Sequence, residues 1–407
     1  MTQHINYVRR VIRVSRMNLR DFLPPEGWDQ SFAVFGGNAE EREIAAIRGI
    51  ARACGEVGVI VLHNDTRFED QLGTLQTVRR GQYHVYCANR NGNRAYDPLY
   101  GLEENDVLNS IIPFDPSGAA APNLAMARAG LTDYLRIMQW QHQHQSAGIG
   151  DYPYNLDLLL SLVSMSYMQL EARVLNYLPQ LMQDELKSRL SGPGLQQSVW
   201  NMVQNYAVQM QAYLWQRQNA WQNHSRFSIT TAVHNRQIIS IRVPNSNPEL
   251  LHACGIEINS LVRRGIPFML VCYGLRVSGE PLLENLFFNT HNNWSTGLIS
   301  PALSSAADIN RIGDVLRFHQ QVVVFPCSSI EEAGIFSNAM GSYYRLIHPR
   351  THGRNRRAFH LLPELTRQVG YQETEVRNIR PEELMNGSVL LCGEDTEVPV
   401  LVRTMTL

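Results

Sequence analysis

The sequence predicts an α/β fold: a parallel sheet flanked by helices, with an all-α domain inserted. Three observations carry this. Short, wholly apolar runs alternate with stretches of helical period. A central stretch, residues 124–224, has only helical period. The chain is 407 residues long and 44% hydrophobic, enough for a large core and long for one compact domain.

The elements follow in order. Residues 1–20 read as a basic arm or helix, because Arg9, Arg13, Arg16 and Arg20 recur at helical spacing. Residues 31–36 (SFAVFG) are a short buried strand ending in two glycines. A helix over 39–54 follows, with Ile44, Ile47 and Ile50 on one side. Residues 58–62 are a strand, 67–79 a helix and 82–88 a strand. Strand–helix alternation of this kind signals parallel pairing. After the helical stretch, rich in Gln, Leu, Met and Trp, strands are expected at 226–233, 237–243, 266–273, 321–326, 387–393 and 398–403. Helices are expected at 248–263, 280–290 and 329–341. This divides the chain into an N-terminal arm (1–30), a first α/β part (31–123), an inserted all-α domain (124–225) and a second α/β part (226–407).

Composition excludes several functions. The formal net charge is -1, so nucleic acid would have to meet a local patch. Of the 36 basic residues only Lys187 is a lysine, and it lies in the helical run DELKSRL. A Schiff-base enzyme, a kinase and an ordinary phosphate loop would each need a lysine elsewhere. The six cysteines stand alone without a CxxC pair, which reads as reduced thiols, a cytosolic compartment and no metal site. There is no run of about 18 apolar residues and no clean signal peptide.

The most informative segment is Ser31–Ala46. A buried strand running through glycines into a helix is the layout of a phosphate loop, whose chemistry requires GxxxxGK[ST]. Register on Gly36 runs through Gly37, Asn38, Ala39 and Glu40. It puts Glu41 at the second glycine, Arg42 at the lysine and Glu43 at the hydroxyl. Carboxylates at Glu40, Glu41 and Glu43 suit the helix dipole but occupy the niche an anion would use. An ordinary strand-to-helix turn fits the same residues.

Further segments, in order, resemble the type IV coupling proteins (TraG/TraD-like), hexameric DNA-pumping ATPases of conjugation and type IV secretion. They are Tyr96–Gly101 (YDPLYG), the helical insertion, 227–251, 266–276, 320–342 and 378–403. The resemblance implies a RecA-like sheet and a second motif at the end of the 266–273 strand. In the family that strand ends in Asp-Glu, for Mg²⁺ and the attacking water. Here Cys272 and Tyr273 stand in its place.

With both motifs altered, the resemblance implies a pseudo-ATPase without cofactor or metal. It would be a scaffold or regulatory subunit of a DNA- or protein-transfer machine. Its partners would be secretion or conjugation subunits, in a homo- or hetero-oligomer. Its place would be the cytoplasm, at the inner face of the membrane through peripheral contact. One alternative is a working DNA-translocating ATPase in which Arg42 replaces lysine and Asp65 or Asp97 holds Mg²⁺ for ATP. Arginine is a planar fork and a poor substitute for a point charge. The other is a DNA-binding module using Arg350, Arg354, Arg356 and Arg357 with Arg9 and Arg13.

Overall fold

The computed structural model describes all residues except 1–10, 24–26, 79–84, 88–93, 113–120, 145–150, 215–224, 245–247, 290–292, 348–350, 356–363, 369–371 and 394–398. The chain enters as strand β1 (Ile12–Asn18) and the one-turn helix α1 (Leu19–Phe22). Strands and helices then alternate through β2 (Phe32–Phe35), α2 (Ala39–Ala53), β3 (Gly58–His63), α3 (Thr66–Val78) and β4 (Val85–Cys87). Strand β5 (Arg94–Tyr96) and α4 (Glu104–Ile111) lead into a helical block. The block comprises α5 (Ala121–His144), α6 (Leu156–Val163), α7 (Tyr167–Arg173), α8 (Gln180–Leu190) and α9 (Pro193–Leu214).

Strand β6 (Ser225–Phe227) closes it. Next come α10 (Ile229–His234), β7 (Ile238–Arg242), α11 (Pro248–Arg263), β8 (Phe268–Tyr273), α12 (Pro281–Phe287) and β9 (Trp294–Ser300). Then α13 (Leu303–Ala306), α14 (Ile312–Phe318), β10 (Gln321–Val324) and α15 (Ile330–Ala339) follow. Two antiparallel pairs follow: β11 (Ser342–Ile347) joins β14 (Gln372–Arg377), and β12 (Thr351–Asn355) joins β13 (Glu364–Gln368). The chain ends with α16 (Pro381–Met385), β15 (Val389–Gly393) and β16 (Val400–Thr406).

Ten strands form one sheet in the order β1-β16-β15-β10-β2-β9-β8-β3-β7-β4. All neighbours from β10 to β4 are parallel. Strand β15 alone runs against them, pairing antiparallel with β10 and with β16. Strands β2, β3 and β8 are buried along their length because helices cover both faces. Side chains alternate between the two layers, as the strand period requires. Val34, Val59, Val61 and Val271 face a core closed by α2 and α3. Phe35, Ile60, Leu62 and Leu270 face a larger core, which contains the helical block. Tyr134 and Leu135 of α5 belong to that same cluster, so the block and the sheet share one apolar interior.

Three local readings are corrected. Residues 12–18 form a strand, not a basic helix: Ile12 to Asn18 pair in parallel with β16 at the sheet edge. Val14 and Met17 of this strand pack on the α2-side core, and that burial outweighs the arginine spacing. Residues 226–233 were expected to be extended. Only Ser225–Phe227 is, and Ile229–His234 is helical. Here Ser228 caps the helix in a box with Thr231, and the cap overrides the β-branched run. Strand β9, at the middle of the sheet, was not anticipated. Its sequence WSTGLIS is too polar to read as a core strand. Gly297 is small there because the Phe32 ring lies against it: a Cβ would sit 2.6 Å from Phe32 Cζ.

Candidate functional site

The expected phosphate loop lies where β2 gives way to α2, at the C-terminal edge of the sheet. Both glycines have positive φ, +73° at Gly36 and +67° at Gly37, a region open to them at no steric cost. The helix begins at once, with Asn38 as its N-cap. The turn is therefore three residues long. A GxxxxGK[ST] loop needs several more to wrap a phosphate.

The donors of this turn are satisfied within the chain. Gly36 N–H donates to the carbonyl of Pro301 at 3.2 Å, and Gly37 N–H to that of Pro326 at 3.0 Å. Asn38 N–H donates to Glu41 Oε2 at 2.7 Å, and Glu41 N–H returns a bond to Asn38 Oδ1 at 2.9 Å. This is a reciprocal capping box. Arg42 folds back, donating from one guanidinium nitrogen to the carbonyls of Gly36 (3.0 Å) and Gly37 (2.5 Å). The turn also packs tightly: a Cβ on Gly37 would lie 2.6 Å from Glu41 Oε2 and 2.8 Å from Phe325 Cβ. The N–H groups of Gly36, Gly37, Asn38 and Glu41 and the Arg42 guanidinium are thus engaged within the chain.

The end of β8 lies beside this turn. The two residues marked by the sequence point to opposite layers. Cys272 is buried on the side of the helical block, and burial pushes its thiol well up. Tyr273 faces α2 and α3, stacked on Phe68 with ring centroids 4.0 Å apart. Burial raises its hydroxyl, Arg42 pulls it down, and Glu43 and Asp65 push it up. Glu43 is 4% exposed and pairs with Arg67 at 3.3 Å. Burial raises its carboxyl, and Arg67 offsets part of that rise. The two-glycine turn and the end of β8 thus converge on one aromatic and charged cluster: Arg42, Glu43, Asp65, Arg67, Phe68 and Tyr273.

The alternative metal ligands are placed apart. Asp65 Oδ1 accepts from Arg67 N–H at 2.8 Å in the turn into α3. Asp97 is buried away from this cluster, accepting from Leu99 N–H at 3.0 Å and Leu156 N–H at 3.0 Å. It ties strand β5 to the start of α6.

The basic patch is only partly described. Arg9, Arg350, Arg356 and Arg357 lie outside the described residues, as does the side chain of Arg354 in β12. Arg13 pairs with Glu383 at 3.2 Å and donates to the carbonyl of Asn378. Arg13 and Arg16 are both exposed and lie on strand β1 instead of the expected helix.

Sequence reasoning missed the acceptors that close the turn, Pro301 and Pro326, and the partners Arg67 and Phe68. A signal for the first two was present. The strands on either side of β2 both run into a proline: Ser300–Pro301 after β9 and Phe325–Pro326 after β10.

No protein-family model matches the chain, and no curated protein matches it. Thirteen chains among the solved structures are similar to it, two of which follow. The bacterial conjugative coupling protein TrwB is 9% identical, covers 90% of this chain and 91% of its own, and gives a TM-score of 0.36. VirB4 of Thermoanaerobacter pseudethanolicus is 11% identical, covers 76% and 80%, and gives a TM-score of 0.39. Among the described residues no single helix is long and apolar enough to cross a membrane.

Proposed function

We propose that this chain is a non-hydrolysing relative of the coupling ATPases of conjugation and type IV secretion. It serves as a scaffold or regulatory subunit in DNA or protein transfer, assembled with other machine subunits on the cytoplasmic side. One observation carries the reading: the turn before α2 is bonded back onto its own chain. Gly36 and Gly37 donate to Pro301 and Pro326, Asn38 and Glu41 cap each other, and Arg42 is held on the glycine carbonyls. The loss of carboxylates after β8, where Tyr273 stacks on Phe68, supports it from a second strand.

The working-ATPase alternative has less support. Asp97 is committed to Leu99 and Leu156, and Arg42 to the turn it would have to leave. The test is titration of the full chain with Mg-ATP by calorimetry, with phosphate release measured with and without DNA. No saturable binding and no turnover are expected. Micromolar affinity, or turnover stimulated by DNA, would sink the proposal.

A further inference from the structure

On the side of the sheet opposite α2 lies a recess of about 690 Å³. It sits between α4, α9, α11 and the turn Gly279–Leu282. That volume is in the range of pockets that hold small organic ligands. It shares no residue with the cluster around Arg42, and the inference does not rest on the nucleotide-site reading.

Its walls are apolar and adaptable: Ile111, Met202, Met210 and Leu282. Its polar groups are few and placed apart. A hydroxyl pair, Ser110 Oγ and Tyr206 Oη at 2.9 Å, is buried in one wall. The other side carries Glu249, His252 and Glu280. Glu280 is 8% exposed, and the bond it accepts from His252 Nδ1 is long, 3.3 Å. A carboxylate has acceptor capacity beyond the one bond and ion pair from His252, which a charged donor in the recess would fill. Among the described residues lining the recess there is no lysine or arginine. An anion would meet two carboxylates; a neutral apolar molecule would leave them unanswered.

We infer that this recess binds an organic cation with an apolar body, its ammonium or guanidinium on Glu280 and its body against Met202, Met210 and Leu282. The same chemistry is offered by a free alkyl or aryl amine and by an arginine flanked by apolar residues in a peptide.

Calorimetric titration of the full chain near neutral pH tests this with phenylbutylamine, phenylbutanol, phenylbutyrate and a capped Leu-Arg-Leu peptide. The amine, the peptide or both should bind saturably. The alcohol should bind at least about tenfold more weakly than the amine and the acid not detectably, one charge-assisted bond being worth about that much. Peptide binding without amine binding assigns the site to a partner's arginine, and the reverse to a free amine. Glu280→Gln should erase the preference for amine over alcohol while leaving alcohol binding in place. Met202→Trp, which fills the recess, should abolish both. Glu249→Gln, at an exposed position, provides a second charge variant and should weaken the amine alone. Equal binding of amine, alcohol and acid, no binding by any probe, or a preference that survives both glutamate changes would overturn the inference.

Discussion

The head of α2 and the recess beside α11 are opposites. At α2, the N–H groups of Gly36, Gly37, Asn38 and Glu41 and the Arg42 guanidinium each meet an atom of the same chain. Beside α11, about 690 Å³ stands open and a buried carboxylate is held by one long bond. Motif logic draws attention to the first, and unfilled polar capacity to the second. The difference teaches that a motif-like layout and free polar capacity are separate properties, read from different atoms. A turn whose N–H groups are bonded within its own chain has fewer donors to offer a ligand.

The largest expected effect tests how closed the turn is. Gly36→Val would put a branched side chain at φ +73°, with its Cβ driven into the Phe325 carbonyl. A loss of about 3–5 kcal/mol is expected in urea denaturation. A loss below about 1 kcal/mol would mean the turn has room to spare, and the contrast with the recess would weaken.

The next effect lies behind the recess wall, on α11. Glu257 is wholly buried, accepting from Tyr96 Oη at 2.7 Å and Thr230 N–H at 3.1 Å. Burial pushes its carboxyl up to about 8, and those hydrogen bonds hold it lower than burial alone would. A carboxyl raised in the folded state binds its proton more tightly there than in the unfolded chain. Its stabilisation is complete below about pH 4.5 and is lost as pH rises to about 8, at up to about 1.4 kcal/mol per pH unit. Glu257→Gln, which mimics the protonated acid, should remove this slope. Thermal melts of both proteins from pH 5 to 9 would read it, as a variant that gains on the wild type with rising pH. Parallel curves would show that Glu257 is ionised in the fold at neutral pH.

The smallest expected effect is none, and it sharpens the comparison most. Arg42→Lys combined with Glu41→Gly restores two letters of the phosphate-loop motif. It leaves Gly36 and Gly37 bound to Pro301 and Pro326. Mg-ATP binding should remain undetectable by calorimetry. Binding in the micromolar range would show that two side chains, not the spent backbone, close the site.

Much of the sheet was legible because its strands are buried on both faces and so read as apolar runs, as in Gly58–His63 and Phe268–Tyr273. Strand β9 was not, because its interior positions Ser295, Thr296 and Ser300 are polar yet wholly or almost wholly buried. Its Gly297 answers to Phe32, more than 260 residues away in sequence, and local pattern carries no trace of that contact. The N-terminal strand was misread because arginines at helical spacing say nothing of the edge position that β16 offers. At the site, the positions of Gly36, Arg42 and Tyr273 could be anticipated. Their closure could not, since its acceptors come from strands β9 and β10.

Strands β5 and β6 pair in parallel, Arg94 with Ser225 and Tyr96 with Phe227. The helical block leaves the chain at one end of this pair and rejoins it at the other, a gap of about 10 Å at the rise of an extended chain. As a path, then, the block is a cassette: a different insertion could be spliced across the same short gap without rethreading the sheet. Its packing denies that freedom, because Tyr134 and Leu135 sit in the same apolar cluster as Phe35 and Ile60. Descent could exchange this block for another with a matching oily face, but could not simply delete it.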